Sequence, residues 1–233
     1  MQNVNTIDWF EVAKFISEIV LTLVAVIVSI IALWQTKKQI QLSNKQALFE
    51  HRLKTYTVTS EIYAYCNLSL EMNDPVKISQ LDTTIIVDLL NGFLESPPMR
   101  ILIDVNDISN IDYSVINVIP NKVFIFLQEL ELNISILFDN NNNQSDLIRC
   151  YVRIIRELIV DGTTYLVLYN KFNTRENDNN LELSAQKIKE KYENLLNKSS
   201  DTFINNCKEA KQIISDIEEK QVFKELRKQL VLE

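Results

Sequence analysis

Glu18, Thr22, Ala25, Ser29, Ala32 and Thr36 recur at intervals of four and three within a stretch of Leu, Ile and Val. In a helix that spacing puts all six on one side, along the seam of a left-handed helix pair or bundle. Two kinds of chemistry follow. Small residues let apolar helices approach closely, so the stripe can hold copies of the chain together. With several copies turning it inward, the Thr and Ser hydroxyls line an aqueous path and Glu18 becomes a ring that attracts cations. The stripe runs on through Gln39, Ser43, Gln46 and Glu50.

A second constellation is Arg149, Arg153 and Arg156, four and three apart and therefore on one helix face. Guanidinium forks suit phosphates, so with Lys122 or Lys171 these are candidate contacts for an anionic nucleotide. The structural alternative is internal pairing, because Asp146, Glu157 and Asp161 lie within a turn and carry the opposite charge.

Little else in the chain fits catalysis. His51 is the only histidine, and no nucleophile lies beside it in sequence. Two glycines, Gly92 and Gly162, make no phosphate-cradling loop and few turns. Cys66, Cys150 and Cys207 are odd in number and lack CxxC spacing, which suits reduced thiols better than disulfides or zinc. The carboxylates Glu129 and Glu131, or Glu218 and Glu219, read as ordinary solvated helix faces. The expectation is a non-enzyme with no cofactor and no metal. A net charge of −7 and a pI near 5.0 argue against a general nucleic-acid binder.

The elements that position these residues begin with Ile19 to Thr36, uncharged and bracketed by Glu18 and Lys37. Roughly 20 apolar helical residues cross a bilayer, so this reads as a membrane span. It starts too deep in the chain and runs into Trp34-Gln-Thr-Lys-Lys rather than a cleavage site, which excludes a signal peptide. Asp8, Glu11 and Glu18 precede it against one Lys14, whereas Lys37, Lys38, Lys45, Arg52 and Lys54 follow it. The cytoplasmic flank carries the Lys/Arg excess, so the N-terminus faces out and the C-terminus lies in the cytosol. Those cations are topology determinants and headgroup contacts. Trp9 and Trp34, the only tryptophans, fall near the two interfaces.

The remainder reads as all-α: residues 1–36 an interfacial segment and span, 37–72 a stalk helix, 73–233 a cytosolic helical domain. Ile40, Ala47, Leu48, Leu53, Tyr56, Ile62 and Tyr63 keep helical spacing along the stalk. Asn73-Asp74-Pro75 ends it, with Asp74 capping a helix that Ser96-Pro97-Pro98 stops. Short helices are expected from Met99 to Val118, although 100–105 has strand character. Pro120 opens a helix through Phe138, residues 139–144 form a loop, and Leu147 to Phe172 is helical. After a polar loop from Thr174 to Asn180, Leu181–Asn197 and Asp201–Leu230 read as a helical hairpin. Its seam holds Leu181, Ile188, Tyr192, Leu195, Phe203, Cys207, Ile213, Ile217 and Leu226.

From Trp34 through Ala47-Leu-Phe, Arg52-Leu and Tyr56 the chain resembles bacterial single-span proteins in which a membrane helix enters a Gln/Lys-rich stalk. Those look like membrane effectors of phage-defence operons, including nucleotide-signalling systems such as Hailong. The abundance of Asn, Ile and Lys fits an AT-rich bacterial genome. The resemblance implies an oligomeric inner-membrane channel, gated by a nucleotide or short oligonucleotide from a partner signalling enzyme. It does not identify ligand residues. The alternative is a membrane-anchored scaffold whose helical domain recruits a protein partner. A reporter fused after Glu233 is predicted to behave as cytosolic, and a periplasmic signal there would reverse the orientation.

Overall fold

No glycine or proline interrupts the chain from Trp9 to Met72, and the backbone follows as one helix, α1 (Trp9–Met72), 64 residues long. The structure, a computed structural model, describes residues 9–73, 83–102, 119–138, 143–176 and 184–231. Every element among them is helical, as the sequence leads one to expect. The chain divides into two units, Met1–Glu50 and His51–Glu233.

In the first unit the described chain is α1 alone, and each residue from Trp9 to Glu50 is exposed. Its most apolar stretch has a mean hydropathy of 2.7 with none of it buried. It is long and apolar enough to cross a membrane. Lys38 Nζ lies over the Trp34 ring, 5.7 Å from its centroid.

Among the described residues the second unit holds the rest of α1 and six further helices. They are α2 (Thr83–Leu94), α3 (Pro97–Arg100), α4 (Ile119–Leu137), α5 (Gln144–Glu176), α6 (Ser184–Glu219) and α7 (Val222–Val231). α5 packs against α2, α4, α6 and α7. Its Ile148, Tyr151, Val152, Ile155, Leu158 and Ile159 are buried at helical spacing, which makes this unit's core a shell around one helix. α4 meets it with Val123, Leu127, Leu130, Ile134 and Leu137, and α6 with Phe203, Cys207, Ala210 and Ile217. α1 contributes Ile62, Cys66 and Leu70 from one face.

Aromatic rings tie α1 to the others. Tyr63 packs on Tyr151 at 5.2 Å and on Phe223 at 4.9 Å between centroids, and Tyr56 meets Phe223 edge-on at 6.0 Å. The Tyr151 hydroxyl donates to the Tyr63 carbonyl at 3.5 Å. Burial pushes the Cys66 thiol well above its ordinary range, with a bond to Tyr151 acting the other way, so the thiol stays protonated and inert. Burial also raises the Asp161 carboxyl, partly offset by Asn206 Nδ2, which donates to it across the α5–α6 contact at 2.6 Å.

Both glycines lie inside helices at close approaches rather than in turns. A Cβ on Gly92 of α2 would collide with the Ser69 side chain of α1, whose hydroxyl donates to Leu89 O at 3.2 Å. A Cβ on Gly162 of α5 would lie 3.1 Å from the Phe203 ring. The left-handed turn conformation falls instead to Asn143 (φ 55°) and Gln221 (φ 49°). Asparagine tolerates it, and glutamine does so at a cost of ~1 kcal/mol.

Several sequence expectations need correction. The helical hairpin does not break at Asn197–Asp201: α6 runs through it, and the chain turns at Lys220–Gln221. Residues 197–201 contain no glycine or proline, and burial at 203, 207, 210, 214 and 217 keeps one helical phase up to the turn. Leu195 is exposed; Leu196 packs on the core in its place. Thr174–Glu176 is the last turn of α5, not loop. Ser96 stands before α3, and its prolines start that helix as well as stopping α2. The proposed Asp74 cap, the 103–118 region, Leu181 and the Ile188 side chain lie outside the described residues.

Gly92→Ala should destabilise the full chain in detergent by about 1–3 kcal/mol, because Ser69 must shift and lose its bond. Adding Ser69→Gly should recover part of that loss. An unchanged thermal midpoint in the single variant would contradict the packing.

Candidate functional site

Thr22, Ser29 and Thr36 on the α1 stripe each donate a hydroxyl to a backbone carbonyl one turn earlier. Thr22 Oγ1 reaches Glu18 O, Ser29 Oγ reaches Ala25 O, and Thr36 Oγ1 reaches Ala32 O, all at 2.8 Å. Donor and acceptor therefore both belong to the stripe. The hydroxyl protons are committed internally, so what each side chain presents outward is an oxygen acceptor. A stripe satisfied in this way can sit against an apolar surface without an orphaned donor, and it can also offer oxygens to a cation. Phe15, Glu18, Ile19, Thr22, Leu23 and Val26 line a shallow groove of about 440 Å³ at its N-terminal end. The groove exists because Thr22 is short where its neighbours are large.

The same alternation of four and three continues beyond Glu50. In the second unit it passes through Leu53, Thr57, Ser60, Ala64, Asn67 and Glu71, all exposed or half-buried. α1 buries a different face there, through Thr55, Thr59, Ile62, Cys66 and Ser69. The available signal was the spacing itself: Leu53 is the one large apolar residue on the line. Ser60 repeats the hydroxyl pattern, donating to Thr57 O at 2.9 Å.

The three arginines sit on α5 but are not equivalent. Arg149 pairs with Asp146 at 3.1 Å, as the charge pattern allows. Arg156 pairs at 2.9 Å with Glu131 of α4, not with Glu157, and its guanidinium lies over Phe124, 5.1 Å from the ring centroid. Both members of that pair are largely buried, which makes it a clamp between helices. Arg153 is exposed, and its Nη2 donates to Cys150 Sγ at 3.7 Å. Lys122 and Lys171 are both exposed. Asp161 turns to Asn206 rather than to an arginine. Sequence reading missed Glu131 as the partner because it lies on another helix, 25 residues away.

No family model, curated protein or solved structure matches the chain. The site therefore rests on its own geometry. Among the described residues no group of three His, Cys, Asp or Glu is placed to hold a metal ion.

The arginines can be separated by stability. Arg156→Ala strands Glu131 and should cost about 1–3 kcal/mol, measured as a fall in thermal midpoint. Arg153→Ala should leave the midpoint unchanged. Equal losses would mean that Arg153 also supports the fold.

Proposed function

We propose that this protein is a homo-oligomeric, single-span effector of a bacterial inner membrane that passes small ions when its cytosolic helical domain receives a signal. The observation that carries the reading is the uncovered apolar part of α1, with a mean hydropathy of 2.7 and no burial by its own chain. Water is a poor solvent for that surface, whereas a bilayer and neighbouring helices are good ones. The Lys/Arg excess after Thr36 supports an outer N-terminus and a cytosolic C-terminus.

Glu18, Thr22, Ala25, Ser29, Ala32 and Thr36 form the contact between copies, and their outward oxygens supply the polar lining. The signal is a nucleotide or short oligonucleotide from a partner enzyme, and the setting is antiphage defence; both follow from the resemblance of residues 34–56. Arg153 is the exposed guanidinium of the candidate ligand face, with Arg149 and Arg156 already engaged. The protein acts by assembly and conduction, without catalysis or a cofactor. One observation favours a second reading, a membrane-anchored scaffold. The stripe hydroxyls satisfy themselves, so the helices can pack dry.

Reconstituted liposomes separate the two. Ala25→Leu should dissociate the assembly in mass photometry, because added bulk parts the backbones. Ser29→Val should stay assembled yet pass fewer ions than wild type, and Ser29→Thr should retain flux. Assembled wild type that conducts in neither signal state would leave the scaffold.

A further inference from the structure

We propose that the side of α1 bearing Trp34, Lys38 and Lys37 is a binding surface for anionic phospholipid headgroups. The inference rests on the spanning part of the function proposed above and adds which lipids that span selects.

The Lys38 ammonium lies over the exposed Trp34 ring at 5.7 Å from the centroid. The ring attracts it through its quadrupole and takes none of its three N–H donors, so these are left for oxygen acceptors. Among the described residues no carboxylate pairs with Lys37, Lys38 or Lys45. The nearest acid along the helix is Glu50, which accepts from Gln46 at 3.0 Å. From Gln35 to Phe49 the chain thus carries three cations and no anion, within a protein of net charge −7. The positive charge is concentrated where the apolar segment ends.

Tryptophan settles at the headgroup level, which places Lys37 and Lys38 among phosphodiesters. A zwitterionic headgroup brings its own cation to each phosphate, whereas phosphatidylglycerol leaves the phosphate unneutralised. Each lysine near an anionic surface strengthens binding roughly fivefold. Lys45 shares the face but lies ~10 Å further along the helix, about one Debye length, and contributes less. Trp34 is ~200° around the helix from Thr36 and a similar angle from Ala32. Lipid contact and the small-residue stripe therefore occupy opposite sides and do not compete.

The test uses the full chain carrying Trp9→Phe, so that Trp34 is the only fluorophore of its kind. The protein is reconstituted in equimolar phosphatidylcholine and phosphatidylglycerol, with bromine on the acyl chains of one lipid or the other. Brominated phosphatidylglycerol should quench Trp34 several-fold more than brominated phosphatidylcholine. Lys37→Gln with Lys38→Gln, at unchanged helicity, should bring the two to equality, and Lys45→Gln should preserve most of the difference. Inorganic phosphate in the buffer should leave the ratio intact; its loss would make the site one for soluble anions and overturn the proposal. Equal quenching in the chain with both lysines overturns it while leaving the span standing. No quenching by either lipid overturns the span itself, and the proposed function with it.

Discussion

The unbroken hydrogen-bond ladder of α1 is the constraint on which the other parts depend, because one helix carries two different surfaces. In its first unit α1 presents a continuous apolar surface that its own chain leaves bare; in its second it gives one face to a packed core. Backbone groups in hydrocarbon have no water to bond, so in the span proposed above a break in the apolar part would expose unsatisfied N–H and C=O groups. The absence of glycine and proline from Trp9 to Met72 meets that requirement. The Ser and Thr hydroxyls meet it too, by donating back into the ladder.

The same economy governs the second unit. With two glycines in the chain, turns are made by other residues, and the glycines are spent where helices come closest: Gly92 on Ser69, Gly162 on Phe203 and Leu90. α5 packs in the middle, so helices that do not follow one another in sequence share its surface. Arg156 and Glu131 lock α4 to it at the rim, and Tyr151 anchors α1 through the Tyr63 carbonyl. Polar contacts here select partners among helices whose apolar faces are otherwise alike.

Much of the architecture was legible in the residues. Period and breakers gave α1 its full length, Pro120 marked α4, and the apolar phase of Tyr151, Ile155 and Leu158 marked α5. The hairpin break was misplaced because Lys198-Ser-Ser-Asp201 looks like a polar turn. Polarity on the solvent side of a long amphipathic helix looks the same in sequence, and only the buried phase from Leu196 through Phe203 to Ile217 distinguishes them. The stripe was legible because it is local. The fate of Arg156 was not, since a partner on another helix leaves no trace in spacing.

The line from Glu18 to Glu71 has a mechanical consequence. It recurs every 3.5 residues on a helix that turns every 3.6, so it revolves around a straight α1 by ~20° per seven residues, roughly 150° in all. Copies joined along it must coil about one another like strands of a rope. In such a rope, torsion and spacing are a single variable: turning one end tightens or loosens the other. In the assembly proposed above, torsion applied to α1 would by itself alter the spacing of the copies, with no hinge and no change of fold.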